Sequence, residues 1–305
     1  MKKNNDMIPI IQKRKYTTIF SSLLLCVSIG ALLLWGLRLG IDFQGGTLME
    51  IQFSENVDRG SVEEILQTAQ IESFSVQPSE ENRVIIRYVS SDEAGNERVR
   101  SGIDSMEASS EILRTDFFGA SVSKELTAKA IEAVFIASLV IALYIAWAFR
   151  KVSRPIPSWQ YGIGALIALF HDVILVLGAF AFLGHFFSIE VGIPFVAAML
   201  TVLGYSVNDT IVVYDRIREN LMRFGSKEGF ERIVNRSINE TLARSINTSL
   251  TVIIVLLAII FFGGATIQAF SLALLIGVIA GTYSSIFIAS ASLVVSYQWD
   301  QNRKI

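Results

Sequence analysis

The chain is poor in the side chains with which most enzymes hold metals and nucleotides. Its 305 residues include one cysteine and two histidines. The sequence contains no phosphate-binding Gly-x-x-x-x-Gly-Lys-Ser/Thr loop, no Cys/His cluster with metal-site spacing and no Gly-x-Ser-x-Gly nucleophile elbow. With Cys26 as the single cysteine, no intrachain disulfide can form. We therefore expect no enzymatic activity, no cofactor and no metal.

Charged residues are also scarce. They make up 18% of the chain, while hydrophobic residues make up 52% and the mean hydropathy is +0.50. This composition is too apolar for a soluble domain and predicts a polytopic α-helical membrane protein. The net charge of -2 hides a segregation of sign, because residues 38–128 hold 17 of the 28 acidic residues but only 8 of the 26 basic ones.

Apolar runs predict six transmembrane helices. We place them at residues 16–37, 129–149, 161–183, 190–214, 245–263 and 269–297. The first run, Thr17 to Leu37, is too long for the apolar core of a signal peptide, and no cleavage site stands out, so we expect it to remain uncleaved. The last two runs lie in one charge-free stretch, which Gly263-Gly264 would divide by a tight turn.

Basic residues predict the orientation of these helices. Five lie in the tail 1–15, three in the loop 150–160, seven in residues 215–244 and two in the tail 298–305, whereas the links 184–189 and 264–268 have none. Lys and Arg favour the cytoplasmic side of a membrane. Both termini are therefore predicted to be cytoplasmic, and residues 38–128 to be external.

The external segment is predicted to be a small α+β domain, about half of a ferredoxin-like module. Alternation predicts strands at 47–53 and 83–89. A capping box of Ser61 and Glu64 would open a helix through Ala69, and a second helix would run from Glu97 to Leu113.

Residues 215–244 form a charged, amphipathic segment with helical periodicity. Gly225 and Gly229 would divide it into two pieces. Such pieces commonly lie in the plane of the membrane surface. The alternative is a solvated connector with one apolar side.

Three charged residues fall within or beside the apolar runs: Asp172, Asp209 and Arg244. An ionisable group in the membrane is costly and commonly marks an ion path or a proton relay. Asp209 would lie about 8 Å below the cytoplasmic boundary. Arg244 would lie at a comparable depth, so an ion pair between the two is geometrically allowed. The alternative is that Arg244 extends to the interface and anchors its helix.

Asp172 follows His171 in the third apolar run. Adjacent helix positions point about 100° apart, so only one of the two is expected to face the bundle interior. Asp172 has no evident basic neighbour, and a carboxyl group that burial keeps neutral suits reversible protonation. The alternative is that it only ties helices together by hydrogen bonds.

Polar residues surround these charges, and small residues are spaced for close helix packing. Six polar residues could hold water, relay protons or tie helices together. They are Asn208, Asn239, Asn247, Thr248, Ser249 and Thr251. The pairs Gly36/Gly40 and Gly277/Gly281 fit the small-xxx-small pattern.

Four stretches of the sequence resemble the SecF subunits of the bacterial SecDF protein-translocation machinery, within the resistance-nodulation-division superfamily. They are GIDFQGGT at 40–47, FHD at 170–172, GYSVNDTIVVYDRIREN at 204–220 and SINETLARSINTSLT at 237–251. In that family one external domain follows the first helix, and five further helices follow it. The family's intramembrane Asp and Arg correspond to Asp209 and Arg244, and both are linked there to proton-driven function. Residues 118–126 depart from the family's Val-Gly-Pro-rich version, which puts the rigidity of this joint in doubt.

The resemblance implies an accessory subunit of protein export in the bacterial cytoplasmic (inner) membrane. Its implied partners are a SecD-like subunit, the SecYEG channel, SecA, the translocating preprotein and membrane lipid; we expect no nucleic acid. One alternative is half of a proton-coupled exporter of lipids or small molecules, for which 91 external residues leave little room. Another is a scaffold without energy coupling, against which the charges in the apolar runs argue.

Overall fold

The computed structural model describes residues 7–71, 73–78, 82–89, 93–106, 109–150, 155–225 and 227–303. The remaining parts of the predicted segments 1–15, 38–128, 150–160, 215–244 and 298–305 lie outside the described residues. Within the described part, six helices are long and apolar enough to cross a membrane, as the sequence predicted. The first is α1 (Arg14–Trp35), which a 3-10 turn at Ile11–Lys13 precedes.

A small α+β domain follows α1, and its prediction is confirmed. Its elements are α2 (Ile41–Gln44), β1 (Gly46–Phe53), α3 (Arg59–Thr68), β2 (Phe74–Pro78), β3 (Arg83–Tyr88), α4 (Glu93–Asp104) and β4 (Ser110–Phe118). The strands form an antiparallel sheet in the order β2-β3-β1-β4. From β1 to β4 the order is βαββαβ, so β2 and β4 complete a unit of which the sequence had suggested only half. Ile51, Val62, Leu66, Val99 and Ile103 pack between the sheet and the two longer helices.

Two predicted helix boundaries in this domain are wrong. The cap of α3 is Asp58, whose carboxylate accepts the Gly60 N–H at 3.0 Å, and not Ser61. The second helix ends at Asp104 rather than at Leu113, because residues from Ser110 onward pair with β1 instead. No residue of β4 is fully buried, and its sequence lacks the regular alternation of apolar and polar residues that would have identified a strand.

The other membrane helices are longer than their apolar runs. They are α5 (Ala120–Ala148), α6 (Ser158–Phe187), α7 (Ile193–Phe224), α8 (Phe230–Phe262) and a last crossing of α9 (Ala265–Ser284), a π-helical segment (Ser285–Ala289) and α10 (Ser290–Asn302). The segment 215–244 is the continuation of α7 and α8 across a short turn, and not two separate surface helices. Arg216 contacts Glu240 at 2.6 Å, and Asn220 donates to Ser237 at 3.0 Å, so the two continuations pair with each other.

Small residues bring α7 and α9 into close contact. A Cβ at Gly277 would collide with Val202, and one at Gly281 would lie 2.8 Å from the Ser206 Cβ, so this small-xxx-small prediction is confirmed. The Gly36/Gly40 pair does not pack helices. Gly36 ends α1 at a φ of 68°, and Gly40 lies in the extended link that follows.

Candidate functional site

Asp209 lies near the middle of the 32-residue α7, with 7% of its surface exposed. Its Oδ1 accepts a hydrogen bond from Ser245 Oγ of α8 at 2.6 Å. Its Oδ2 accepts one from Ser285 Oγ, at the start of the π-helical segment, at 2.5 Å. The carboxyl group therefore joins three helical elements through hydroxyl donors.

Asp172 of α6 is fully buried and has a similar set of donors. Its Oδ2 accepts hydrogen bonds from Ser206 Oγ of α7 at 2.6 Å and from Ser284 Oγ of α9 at 2.7 Å. Its Oδ1 lies 3.1 Å from His171 Nδ1. Two carboxyl groups buried in the helix bundle are thus each held by a pair of serines from neighbouring helical elements.

His171 is buried beside Asp172, so the prediction that only one of them would face the interior is wrong. It is 3% exposed, because α6 is surrounded by other helices on both of these sides. Its Nε2 has no hydrogen-bond partner in the described part of the chain. Its ring lies 6.0 Å from that of Tyr283, whose hydroxyl bonds to Ser21 of α1 at 2.8 Å. Asp172 is therefore linked to α1 through His171 and Tyr283.

Arg244 and Asn208 lie on exposed surfaces of α8 and α7. The structure does not bring Arg244 and Asp209 together: among the described residues, no ion pair forms at Arg244, and the next residue, Ser245, contacts Asp209 instead. Adjacent helical positions point about 100° apart, which separates Arg244 from the interior. Asn208 makes no side-chain hydrogen bond with any described residue.

The sequence analysis did not identify the serines that hold the carboxyl groups. It identified only one serine near them, Ser249, which contacts Ser245. Ser249 donates to Ser245 O at 2.9 Å and pairs with Thr282 at 2.5 Å, while Tyr205 donates to it at 3.2 Å. Its four-residue spacing from Ser245 was the available signal, since both fall on one face of α8. Serines 206, 284 and 285 have no comparable pattern.

A second set of contacts ties the α+β domain to the start of α7. Asp42 Oδ2 accepts the backbone N–H of Ile193 at 2.8 Å. The neighbouring backbone forms a bridge, with Gly40 N–H donating to Val191 O at 2.9 Å and Val191 N–H donating to Arg38 O at 2.8 Å. A hydrogen-bonded connection therefore runs from the link before β1 into the helix that carries Asp209.

These features define a class: a polytopic membrane protein with a βαββαβ domain after its first helix and carboxyl groups buried in its helix bundle. Among the described residues, no three His, Cys, Asp or Glu side chains gather as a metal site would require. The sequence matches the family described as protein export membrane protein SecD/SecF, C-terminal, over residues 98–299, and the SecD/SecF GG motif over residues 36–57. The chain belongs to the SecD/SecF family.

The relatives in this family include protein translocase SecF subunits. That of Thermobaculum terrenum is 46% identical over 301 residues, which cover 94% of this chain and 93% of the relative. That of Haemophilus influenzae is 37% identical over 281 residues, covering 91% of this chain and 82% of the relative.

Solved structures of SecDF are also similar. The crystal structure of SecDF, a translocon-associated membrane protein from Thermus thermophilus, aligns with a TM-score of 0.81 and 31% identity over 99% of this chain. SecDF in a super-membrane-facing form aligns with a TM-score of 0.70 and 30% identity over the full chain. In both cases this chain spans 40% of the SecDF chain.

Proposed function

We propose that this chain is an accessory subunit of the Sec protein-export machinery. With a SecD-like partner, it uses the proton motive force to promote the translocation of secreted proteins across the membrane. The observation that carries this proposal is Asp209, a carboxyl group buried in the helix bundle whose side-chain hydrogen bonds, among the described residues, come only from hydroxyl groups of two other helical elements. A buried carboxyl group without a cationic partner is suited to taking up and releasing a proton.

The energy available from each proton limits the work that the site can do. A proton that crosses a potential of 100 mV releases about 2.3 kcal/mol. That energy does work only if two conformations bind the proton with different affinity. We assign one conformation to the present structure, in which Ser245 faces Asp209. In the other, α8 turns so that the adjacent Arg244 faces the ionised carboxylate.

The movement would reach the α+β domain through the start of α7. Asp42 accepts the Ile193 N–H, and residues 38–40 are bridged to residue 191, so a displacement of α7 displaces the link to β1. Where the chain leaves the domain, Ser123 at the start of α5 donates to Ile41 O at 3.5 Å, so α5 contacts the same short helix α2. We propose that the domain is external, that both termini are cytoplasmic, and that the domain acts on the translocating preprotein.

An exposed polar surface on α7 and α8 supports a SecD-like partner. Its residues are Thr201 and Asn208 on α7 and Arg244, Asn247, Thr248 and Thr251 on α8. The three threonine hydroxyls donate to carbonyl groups of their own helices. The polar groups of Asn208, Arg244 and Asn247 are costly if they face lipid, whereas a partner helix can hydrogen-bond to them. The SecDF chains are more than twice as long as this one, and a SecD-like subunit would supply the other part. SecYEG and SecA would deliver the preprotein upstream.

The role of Asp209 can be tested by a pair of isosteric substitutions on one helix. Asp209→Asn should abolish gradient-stimulated export in vesicles that contain the Sec machinery, without lowering the level of the protein. Asp215→Asn is the control, because Asp215 lies on the same helix but its side chain is 55% exposed and paired with Arg218. Full gradient-stimulated export in the Asp209→Asn variant would refute the proposal.

A further inference from the structure

Two consecutive serines at the end of α9 contact carboxyl groups on two different helices. Ser284 donates to Asp172 Oδ2 at 2.7 Å, and Ser285 donates to Asp209 Oδ2 at 2.5 Å. Both serines are fully buried. The shortest covalent path between the two hydroxyl groups runs across a single peptide bond. The two carboxyl groups are thus linked by adjacent residues rather than by the length of a helix.

Each of these hydroxyl groups also has a second acceptor within reach. Ser284 Oγ lies 3.2 Å from Gly281 O, and Ser285 Oγ lies 3.0 Å from Thr282 O. An ionised carboxylate only accepts hydrogen bonds, whereas a protonated one carries a donor of its own. A serine hydroxyl next to a carboxyl group that takes up a proton can therefore turn to the backbone carbonyl three residues earlier.

The backbone at this point is not α-helical. Ser285 opens the π-helical segment, a conformation that is rare and frequently found at functional sites. Ser290 Oγ donates to Ser285 O at 3.0 Å, and Tyr214 OH donates to Ala289 O at 3.1 Å. The segment is therefore held by hydrogen bonds at both of its ends. A return to α-helical hydrogen bonding would rotate α10 relative to α9.

We propose that Ser284 and Ser285 are positioning residues that couple the protonation of Asp172 to that of Asp209. When one carboxyl group gains a proton, its serine turns, the π-helical segment adjusts, and the neighbouring serine changes its hold on the other carboxyl group.

This inference rests on the proposed function, in which Asp209 is the proton-carrying group, and extends it to a second carboxyl group. Among the described residues, the other titratable groups near Asp172 are His171 and Tyr283. Tyr205 is linked to Asp209 through Ser249 and Ser245, while Arg244, next to Ser245, lies on the exposed surface of α8.

The coupling can be measured without export. The full chain, with its SecD-like partner in lipid vesicles, would be titrated while infrared difference spectroscopy follows the carboxyl C=O bands. Asp172→Asn identifies the Asp172 band. Asp209→Asn should shift the titration midpoint of that band, and the shift should vanish when Ser284→Ala and Ser285→Ala are both present.

Ser271→Ala is the matched control, because Ser271 is a fully buried serine of the same helix whose hydroxyl has no partner in the described part of the chain. It should leave the shift unchanged. Ser285→Thr retains a hydroxyl and should retain part of the shift. An undiminished shift in the Ser284→Ala, Ser285→Ala variant, or a wild-type Asp172 that does not titrate, would overturn the inference.

Proton flux into the same vesicles separates this inference from the proposed function. Ser285→Ala should lower the flux about tenfold, as loss of a hydrogen bond to a charged group implies. Adding Ser284→Ala should lower it little further, because the two act as a unit. If Asp209→Asn leaves flux and export intact, the proposed function fails. If Asp209→Asn blocks both but the serine variants behave like Ser271→Ala, only the coupling fails.

Discussion

Charged groups are held differently in the outer parts of α7 and α8 and in the helix bundle to which both helices belong. In the continuation of these helices beyond the core, residues 215–244, carboxylates face guanidinium groups, as in the 2.6 Å contact of Glu240 with Arg216. In the helix bundle, Asp172 of α6 and Asp209 of α7 face serine hydroxyls instead. A guanidinium group always carries its charge, so an ion pair with it favours one arrangement. A hydroxyl can donate or accept, so it tolerates a change in the charge of its neighbour.

The first test of this difference forces two helices of the core, α7 and α9, apart. Gly277→Val should destabilise the protein by about 1–3 kcal/mol, because the added side chain collides with Val202 where α9 meets α7. Thermal unfolding in detergent would measure the loss. Gly204→Ala is the control, since a Cβ there meets nothing within 4 Å. Equal unfolding temperatures for the two variants would show that the core does not depend on this close contact.

The second test compares two aspartates whose side chains cap helices in different regions of the molecule. Asp42 accepts the Ile193 N–H of α7, and Asp58 accepts the Gly60 N–H of α3 within the α+β domain. Removing either side-chain acceptor by substitution with alanine should cost about 1 kcal/mol of stability. Gradient-stimulated export should fall in Asp42→Ala alone, because the Asp42 contact joins the domain to α7 and the Asp58 contact lies within the domain.

For each variant, export would be measured in vesicles and the unfolding temperature would be measured separately. Similar losses of stability with a loss of export only in Asp42→Ala would support the proposed route from Asp209 to the domain. A parallel loss of export in Asp58→Ala would show that export tracks stability instead.

The membrane part of the fold was largely predictable, because its signal is local. The number and order of the spans follow from apolar length, and the Gly277/Gly281 contact follows from spacing. The ends of α7 and α8 were not predictable in this way. Charged residues continue those helices beyond the apolar runs because the two continuations pair with each other, as Asn220 and Ser237 do.

The site was predictable in its carboxyl groups but not in their partners. Asp172 and Asp209 stand out because charge is rare in apolar runs. Their serines do not, since Ser284 and Ser285 resemble many other serines in membrane helices and only the arrangement of α6, α7 and α9 brings them to the carboxyl groups. The sequence predicted that Arg244 would contact Asp209, but the next residue, Ser245, makes the contact. A shift of one residue along a helix changes the direction of the side chain greatly.

The smallest expected effect lies in the exposed part of α7. Arg218 contacts Asp215 at 2.7 Å, three residues away on the same helix, and both side chains are more than a third exposed. Exposed pairs of this kind contribute about 0.3–0.5 kcal/mol and weaken further in salt. Arg218→Gln should therefore change the unfolding temperature slightly at low ionic strength and not at all at high ionic strength, and export should be unaffected. A large, salt-independent loss of export would place a functional charge outside the core and remove the contrast between the two regions.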